Sequence, residues 1–139
     1  MKTFLVFSII LAMASSLQAE PPDDAAASKL LIGSWTVPNE LTTSCPLKGG
    51  FTFKSNGTFM SYGVFFIDGK RVRINVEGTW TISNGVLVEK ITKSSHPTIP
   101  PVGLITRDTL ITVKQKEYRF RTEDGQIHYY LRVVDEKNM

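Results

Sequence analysis

The 139-residue chain has a single cysteine, Cys45, so no disulfide can form within it, and its two histidines, His96 and His128, stand far apart with no second ligand at the offsets that structural zinc sites use. Cys45 is therefore either a buried small hydrophobe or a free thiol, and the neighbouring Pro46 and Leu47 favour burial in a packed loop. No stretch keeps a helical period, which removes bundles and coiled coils from consideration. Nor does one sign of charge dominate: the formal net charge is +3, with acids spaced between the Lys and Arg residues. That pattern argues against a nucleic-acid groove and against a polybasic membrane patch. The longest apolar run, residues 4 to 14, is too short to span a bilayer.

That run is preceded by Lys2 and followed by small residues ending at Ala19, the layout of a secretory signal peptide. Cleavage after Ala19 would remove one Lys and no acid, leaving one mildly basic domain in a periplasmic or secreted location. EPPDDAAAS, residues 20 to 28, has no alternation that could bury anything and reads as a flexible leader extending to about residue 29. The domain then runs from 30 to 134, and residues 135 to 139 form a tail. Asn56-Gly57-Thr58 is a glycosylation sequon, relevant only in a host that glycosylates exported proteins.

Within the domain, short β-rich runs alternate with Gly-containing corners: 31 to 37, 50 to 55, 58 to 67, 70 to 83, 86 to 93, 108 to 114, 117 to 122 and 127 to 134. Eight such runs predict an all-β fold, a small antiparallel up-and-down β-barrel. Two connections break the rhythm. Residues 38 to 49 can carry a turn of helix or an Ω-type loop, and 94 to 103 hold three prolines that no central strand tolerates.

Register follows from the corners, because side chains alternate faces and a one-residue slip reverses them all. A three-residue loop Ser55-Asn56-Gly57 sets Phe53 opposite Phe59, and a two-residue Asp68-Gly69 turn sets Phe65 opposite Val72, Gly63 opposite Ile74 and Ser61 opposite Val76. A three-residue loop at Asn84 would pair Ile82 with Val86 and Trp80 with Val88, leaving Glu89 in solvent. A two-residue Asp124-Gly125 turn would pair Phe120 with Tyr129 and Tyr118 with Leu131, and send His128, Tyr130 and Arg132 to the other face. The predicted interior, and the candidate ligand-binding wall, is then Phe51, Phe53, Phe59, Ser61, Phe65, Trp80, Phe120 and Tyr129. Ser61, Gly63 and Gly78 either let a short barrel coil, with Phe59 folding over Gly78, or hollow its centre for a small apolar ligand.

Gly33-Ser34-Trp35 on the first strand, with Tyr130-Leu131-Arg132 on the last, resembles the lipocalin (calycin) pattern. The order FTFKSNGTF, GTWTISNG, EDGQIHYYLR is similar to that of short exported bacterial lipocalin-like proteins. The resemblance implies that Arg132 packs over the Trp35 indole beside Gly33 and seals one end of the barrel. The chain lacks the family's disulfide and a central Thr-Asp-Tyr type motif, and is shorter than a typical member.

No residue pattern names a reaction. Asp108, Glu117, Glu123, Asp124, His96 and His128 are scattered over turns and loops, and the inferred register brings no two of them together. The expectation is an exported, non-enzymatic binding protein without metal or cofactor, holding a small hydrophobic molecule in its barrel and not inserted in a membrane. The alternative is a protein-interaction or inhibitor module that docks partners through loops 38 to 49 and 94 to 103, with Leu41, Leu47, Ile99 and Val102 as contact residues.

Overall fold

At Asp68-Gly69 both residues have positive φ, 51° and 75°, the conformation of a two-residue hairpin turn whose twist matches the flanking strands. The turn joins β3 (Thr58–Ile67) to β4 (Lys70–Ser83) in the predicted register, Phe65 against Val72 and Phe59 against Gly78. The preceding corner also behaves as predicted: Lys54 and Thr58 close a three-residue loop between β2 (Lys48–Phe53) and β3, and Phe53 faces Phe59. A computed structural model of the chain describes residues 23–38 and 48–134. With β1 (Gly33–Thr36), β5 (Val86–Ser94), β6 (Ile105–Val113), β7 (Glu117–Arg121) and β8 (Ile127–Arg132), the strands form one closed eight-strand antiparallel barrel in chain order, β8 returning to β1 through Trp35 opposite Arg132.

Two corners depart from expectation, and both change which side chains point inward. At Asn84-Gly85 the turn has two residues, with φ of 51° and 73°, so Ser83 pairs with Val86 and Trp80 with Glu89. Leu87 and Glu89 therefore face inward, and Val86 and Val88 do not. A three-residue loop, expected from the segregation of apolar from polar side chains, would have paired Trp80 with Val88 and left Glu89 in water. The Asn-Gly pair prefers the two-residue form, and its two amides are held at 2.8 Å each by the Asp24 carboxylate.

At the last corner Thr122 and Gln126 close a three-residue loop, 123 to 125, in place of the two-residue turn. Phe120 now faces His128 and Tyr118 faces Tyr130, so Tyr130, His128 and Arg132 join the interior, while Tyr129 turns outward under the Arg119 guanidinium, 5.3 Å from its ring centre. The cost is Ile127 opposite Arg121, left 56% exposed. The gain is larger: Tyr130 packs its ring 5.2 to 5.3 Å from Phe51, Tyr118 and Phe120.

The segment read as a flexible leader is helical from Asp24. Helix α1 (Asp24–Leu31) is capped by Asp23, whose side chain accepts from the Ala26 amide, and its Ala27 and Leu31 are fully buried against the barrel. Eight residues are too few to show a period, and the small Ala side chains are what let the helix lie close. α1 packs on β4 and β6 and closes the end that carries the corners 55 to 57, 84 to 85 and 114 to 116. The opposite, open end, which no helix among the described residues covers, carries the corner at 68 to 69, the segment 95 to 104 and the loop 123 to 125. Residues 39–47, with Leu41, Cys45 and Leu47, lie outside the described residues.

Opposite a bulge in β5, where Thr92 is the extra residue between Ile91 and Lys93, sits Gly78. A Cβ there would collide with the Lys90 carbonyl oxygen and lie 2.5 Å from the Phe59 ring. Phe59 thus occupies the place of the missing side chain, as one of the two sequence readings held. Gly78→Ala is expected to destabilise the fold by roughly 3 kcal/mol through overpacking, measured as a lower urea midpoint at unchanged slope. An unaltered midpoint would contradict the packing described.

Candidate functional site

The closed end is solid. Trp35 donates its indole N–H to the Leu31 carbonyl at 2.8 Å, meets Tyr118 edge-on at 4.8 Å, and lies under the Arg132 guanidinium, 4.2 Å from the ring centre. Arg132 also donates to the carbonyls of Leu30, Ile32 and Gln115, tying β8 to the end of α1 and to the β6–β7 corner. A side chain at position 33 would run into the guanidinium, which is why glycine stands there. The contact expected between Gly33, Trp35 and Arg132 is present. Above it Phe53, Phe59, Trp80 and Phe120 are buried, Phe53 standing 5.4 Å from Trp80 and 6.4 Å from Tyr118.

Toward the open end the same inward face loses its burial. Phe51, Ser61, Phe65 and Val72 face inward by register but are only half-buried, as are Thr106, Asp108, His128 and Tyr130 on the opposite wall. Inward-facing side chains there remain partly reachable by water above the aromatic floor, and the mouth they border is the candidate chamber. Of the eight predicted wall residues, four thus form the floor, Phe51, Ser61 and Phe65 border the chamber, and Tyr129 lies outside it.

Glu89 is the group in this chamber that sequence reasoning missed. Its carboxyl is 8% exposed, and its one hydrogen bond among the described residues comes from Thr106 Oγ1 to Oε2 at 3.2 Å. Burial, with the nearby charge of Asp108 adding to it, pushes Glu89 up to about 8, against an opposing pull from the Thr106 bond. Asp108 is itself raised to about 6, by burial first and the Glu123 charge second. Glu123 Oε1 accepts from the Arg107 amide at 3.1 Å, which holds it beside Asp108 at the open end. The hydroxyls of Tyr118 and Tyr130 are pushed upward mainly by burial and also by the charges of Glu89 and Asp108, so all four groups share one electrostatic environment. The inferred register had separated these carboxyls. The clue that would have joined them was available in Asn84-Gly85, the same turn chemistry that was read correctly at Asp68-Gly69.

A cleft of about 520 Å³ lies along β1 to β5, bordered by Thr36, Thr52, Met60, Tyr62, Arg73 and Glu77 of the outward face, with Phe51 and Ser61 also in its lining. His96 accepts the amides of Thr98 and Ile99 through Nδ1, a structural task in the 95 to 104 segment, from which Ile99 and Val102 protrude, 40% and 63% exposed. Asn56 is at an exposed corner with its side chain accepting from Thr58. Among the described residues no cluster of His, Cys, Asp and Glu could hold a metal ion, and no helix is long and apolar enough to cross a membrane.

No protein-family model matches the chain, and no curated protein does. Among solved structures it is similar to the crystal structure of a lipocalin-like protein from Bacteroides uniformis ATCC 8492, with 13% sequence identity, a TM-score of 0.50, and coverage of 75% of this chain and 99% of that one. The fold is lipocalin-like: a closed eight-strand antiparallel barrel with one short helix. An architecture of this kind is compatible with binding small hydrophobic ligands.

Two outcomes follow from this geometry. In the folded protein Glu89 keeps its proton up to about pH 8, whereas in the unfolded chain it ionises near 4.5. The folded state thus holds the extra proton between those values, so Glu89 erodes stability as pH rises through that window, reaching about 5 kcal/mol above it. Glu89→Gln is expected to stabilise the protein by a few kcal/mol at pH 9 and to change little at pH 4.5, read by chemical denaturation at both. An equal effect at the two pH values would refute a buried, protonated Glu89. Arg132→Lys, which keeps the charge but loses the planar stack and most of the carbonyl contacts, is expected to cost on the order of 2–3 kcal/mol. Wild-type stability in that variant would mean that the closing contact carries no weight.

Proposed function

We propose that the protein is an exported, non-enzymatic binding protein whose barrel holds one small molecule with an apolar body in the chamber at its open end. The observation that carries this reading is the gradient of burial along the inward face. Trp35, Phe53, Phe59 and Tyr118 are at most 1% exposed at the closed end, while Phe51, Ser61, Phe65 and Tyr130 are half-buried under the open one. A barrel meant only as a scaffold gains by filling its interior to close packing. One that leaves aromatic surface facing an opening offers the concave, mostly apolar wall that small ligands use. The leader ending at Ala19 supports export, with the periplasm or the extracellular space as the place of action. A second reading, docking of a protein partner at the same end, is favoured by the exposed Ile99 and Val102 on the 95 to 104 segment.

The test is a titration of the mature chain, residues 20 to 139, with a neutral apolar fluorophore such as N-phenyl-1-naphthylamine. Saturable one-to-one binding is expected. Ser61→Leu, which adds bulk to the chamber wall, should weaken it at least about tenfold without loss of the folded state. Absence of saturable binding, together with a bare mass for the protein isolated from its host and examined by native mass spectrometry, would end this reading in favour of partner docking.

A further inference from the structure

We propose that the cleft along β1 to β5 is a second binding site, for a small organic anion: a carboxylate on an apolar or aromatic body, its oxygens held by the Arg73 guanidinium. The inference goes beyond the chamber reading and does not depend on it.

The cleft, at about 520 Å³, has the size of a small-molecule site. Strand pairing lays out its bed. Thr36, Gly50, Tyr62 and Asn75 stand side by side on the outward faces of β1 to β4, and Ser95 continues the row, its amide donating to the Asn75 carbonyl at 2.9 Å. Gly50 is not among the glycines with positive φ, so backbone conformation does not call for glycine there; the Tyr62 ring does. A Cβ at position 50 would lie 2.8 Å from that ring and 3.2 Å from the Trp35 carbonyl oxygen. The ring therefore covers the place a side chain would take. Arg73, on the same face of β4 as Asn75, stacks its guanidinium 4.2 Å from the Tyr62 ring centre and donates from Nε to Asn75 Oδ1 at 3.1 Å. Glycine, ring, guanidinium and amide form one built assembly at the edge of the cleft.

That assembly decides what Arg73 can still bind. Its Nε is used by Asn75 and one flat face by the ring, which leaves the two Nη groups as a fork of donors already fixed in direction. No carboxylate answers them among the described residues, whose two ion pairs are Lys93 with Glu77 and Arg119 with Glu117. On the outward faces of β1 to β5 Glu77 is the one acid, against Arg71, Arg73, Lys90 and Lys93. Glu77 and Lys93, at 4.0 Å and well exposed, offset each other, so Arg73 sets the sign of the cleft. A carboxylate presents two oxygens to a guanidinium fork at once, in short charge-assisted bonds. An organic cation would be repelled, and a neutral molecule would leave the fork to water. Beside the fork the bed asks for an apolar body. The Ser34 and Thr52 hydroxyls are 2.9 Å apart and bonded to each other, and Met60 and Val133, 46% and 48% exposed, also line the cleft.

The experiment is isothermal titration calorimetry of the mature chain at neutral pH with three ligands of one shape: 3-phenylpropanoate, 3-phenylpropanamide and 3-phenylpropylamine. The carboxylate is expected to bind at least about tenfold tighter than the amide, a difference of about 1.4 kcal/mol, and the amine most weakly. Arg73→Gln should remove the carboxylate's advantage. Arg73 is exposed on the outer wall, so this variant should fold, which thermal unfolding checks, and it should bind N-phenyl-1-naphthylamine as the wild type does. Saturation with that fluorophore should leave the carboxylate's affinity unchanged, as two separate sites require. Equal affinity for carboxylate and amide, no binding of the carboxylate, an advantage that survives Arg73→Gln, or competition between carboxylate and fluorophore would each overturn the assignment. The chamber reading has its own test in the fluorophore titration, so the two can fail separately.

Discussion

Two hydrogen bonds, from the amides of Asn84 and Gly85 to the carboxylate of Asp24, join the helix, the tightest turn of the closed end and the face of β5 into one unit. The turn's carbonyl is used as well: Gly85 O accepts from the Leu110 amide, which extends the tie to β6. A strand entering from a two-residue turn starts one side chain out of phase with a strand entering from a three-residue loop. Here that phase puts Leu87 and Glu89 inside. Had the loop been one residue longer, Val86 and Val88 would have lined the interior in place of Leu87 and Glu89, with Thr106, Asp108 and His128 still facing inward from the other strands. The place of Glu89 is therefore a consequence of how one corner is capped.

The two ends of the barrel are built on different terms. At the closed end every polar group near the core has a partner: the Trp35 N–H on Leu31, the Arg132 guanidinium on three carbonyls, the Trp80 N–H on the Lys54 carbonyl at 3.1 Å. Rings meet at 4.8 to 6.4 Å in edge-on and offset arrangements, so the floor is packed as a protein interior should be. At the open end the wall consists of half-buried aromatics with the acids Glu89 and Asp108 beside them. Stability is concentrated below and left incomplete above.

Glu89 shows what that incompleteness costs. A carboxyl carried into an aromatic interior resists ionisation, and a single threonine bond offsets only part of the penalty. Asp108, less buried, is perturbed in the same direction but less. An apolar side chain in place of Glu89 would serve the fold better, and side chains that work against stability in a concave site are where binding chemistry is concentrated. The open end thus combines half-buried aromatic side chains with two inward-facing acids.

Much of the architecture was legible in the chain. The alternation of Phe, Val and Ile, with Asp-Gly and Ser-Asn-Gly at the corners, determined eight antiparallel strands in chain order and the pairing of β2, β3 and β4, because there the turn preference and the apolar pattern agree. The contact of Trp35 with Arg132 was implied by the resemblance of Gly33-Ser34-Trp35 and Tyr130-Leu131-Arg132 to the lipocalin pattern, while register alone had sent Arg132 to the other face. What only the tertiary structure decided lies where those two signals conflict. At Asn84-Gly85 the pattern favoured keeping Glu89 in water, and turn geometry with the Asp24 contact prevailed. At 123 to 125 the pattern favoured hiding Ile127, and the packing of Tyr130 among three rings outweighed one exposed isoleucine. Helix α1 was hidden because its burial depends on a barrel surface that exists only after folding. Side chains alternate with a period of two, so each of these local contests flips a whole strand face. The barrel could therefore be read from the chain while the identity of the groups inside it could not.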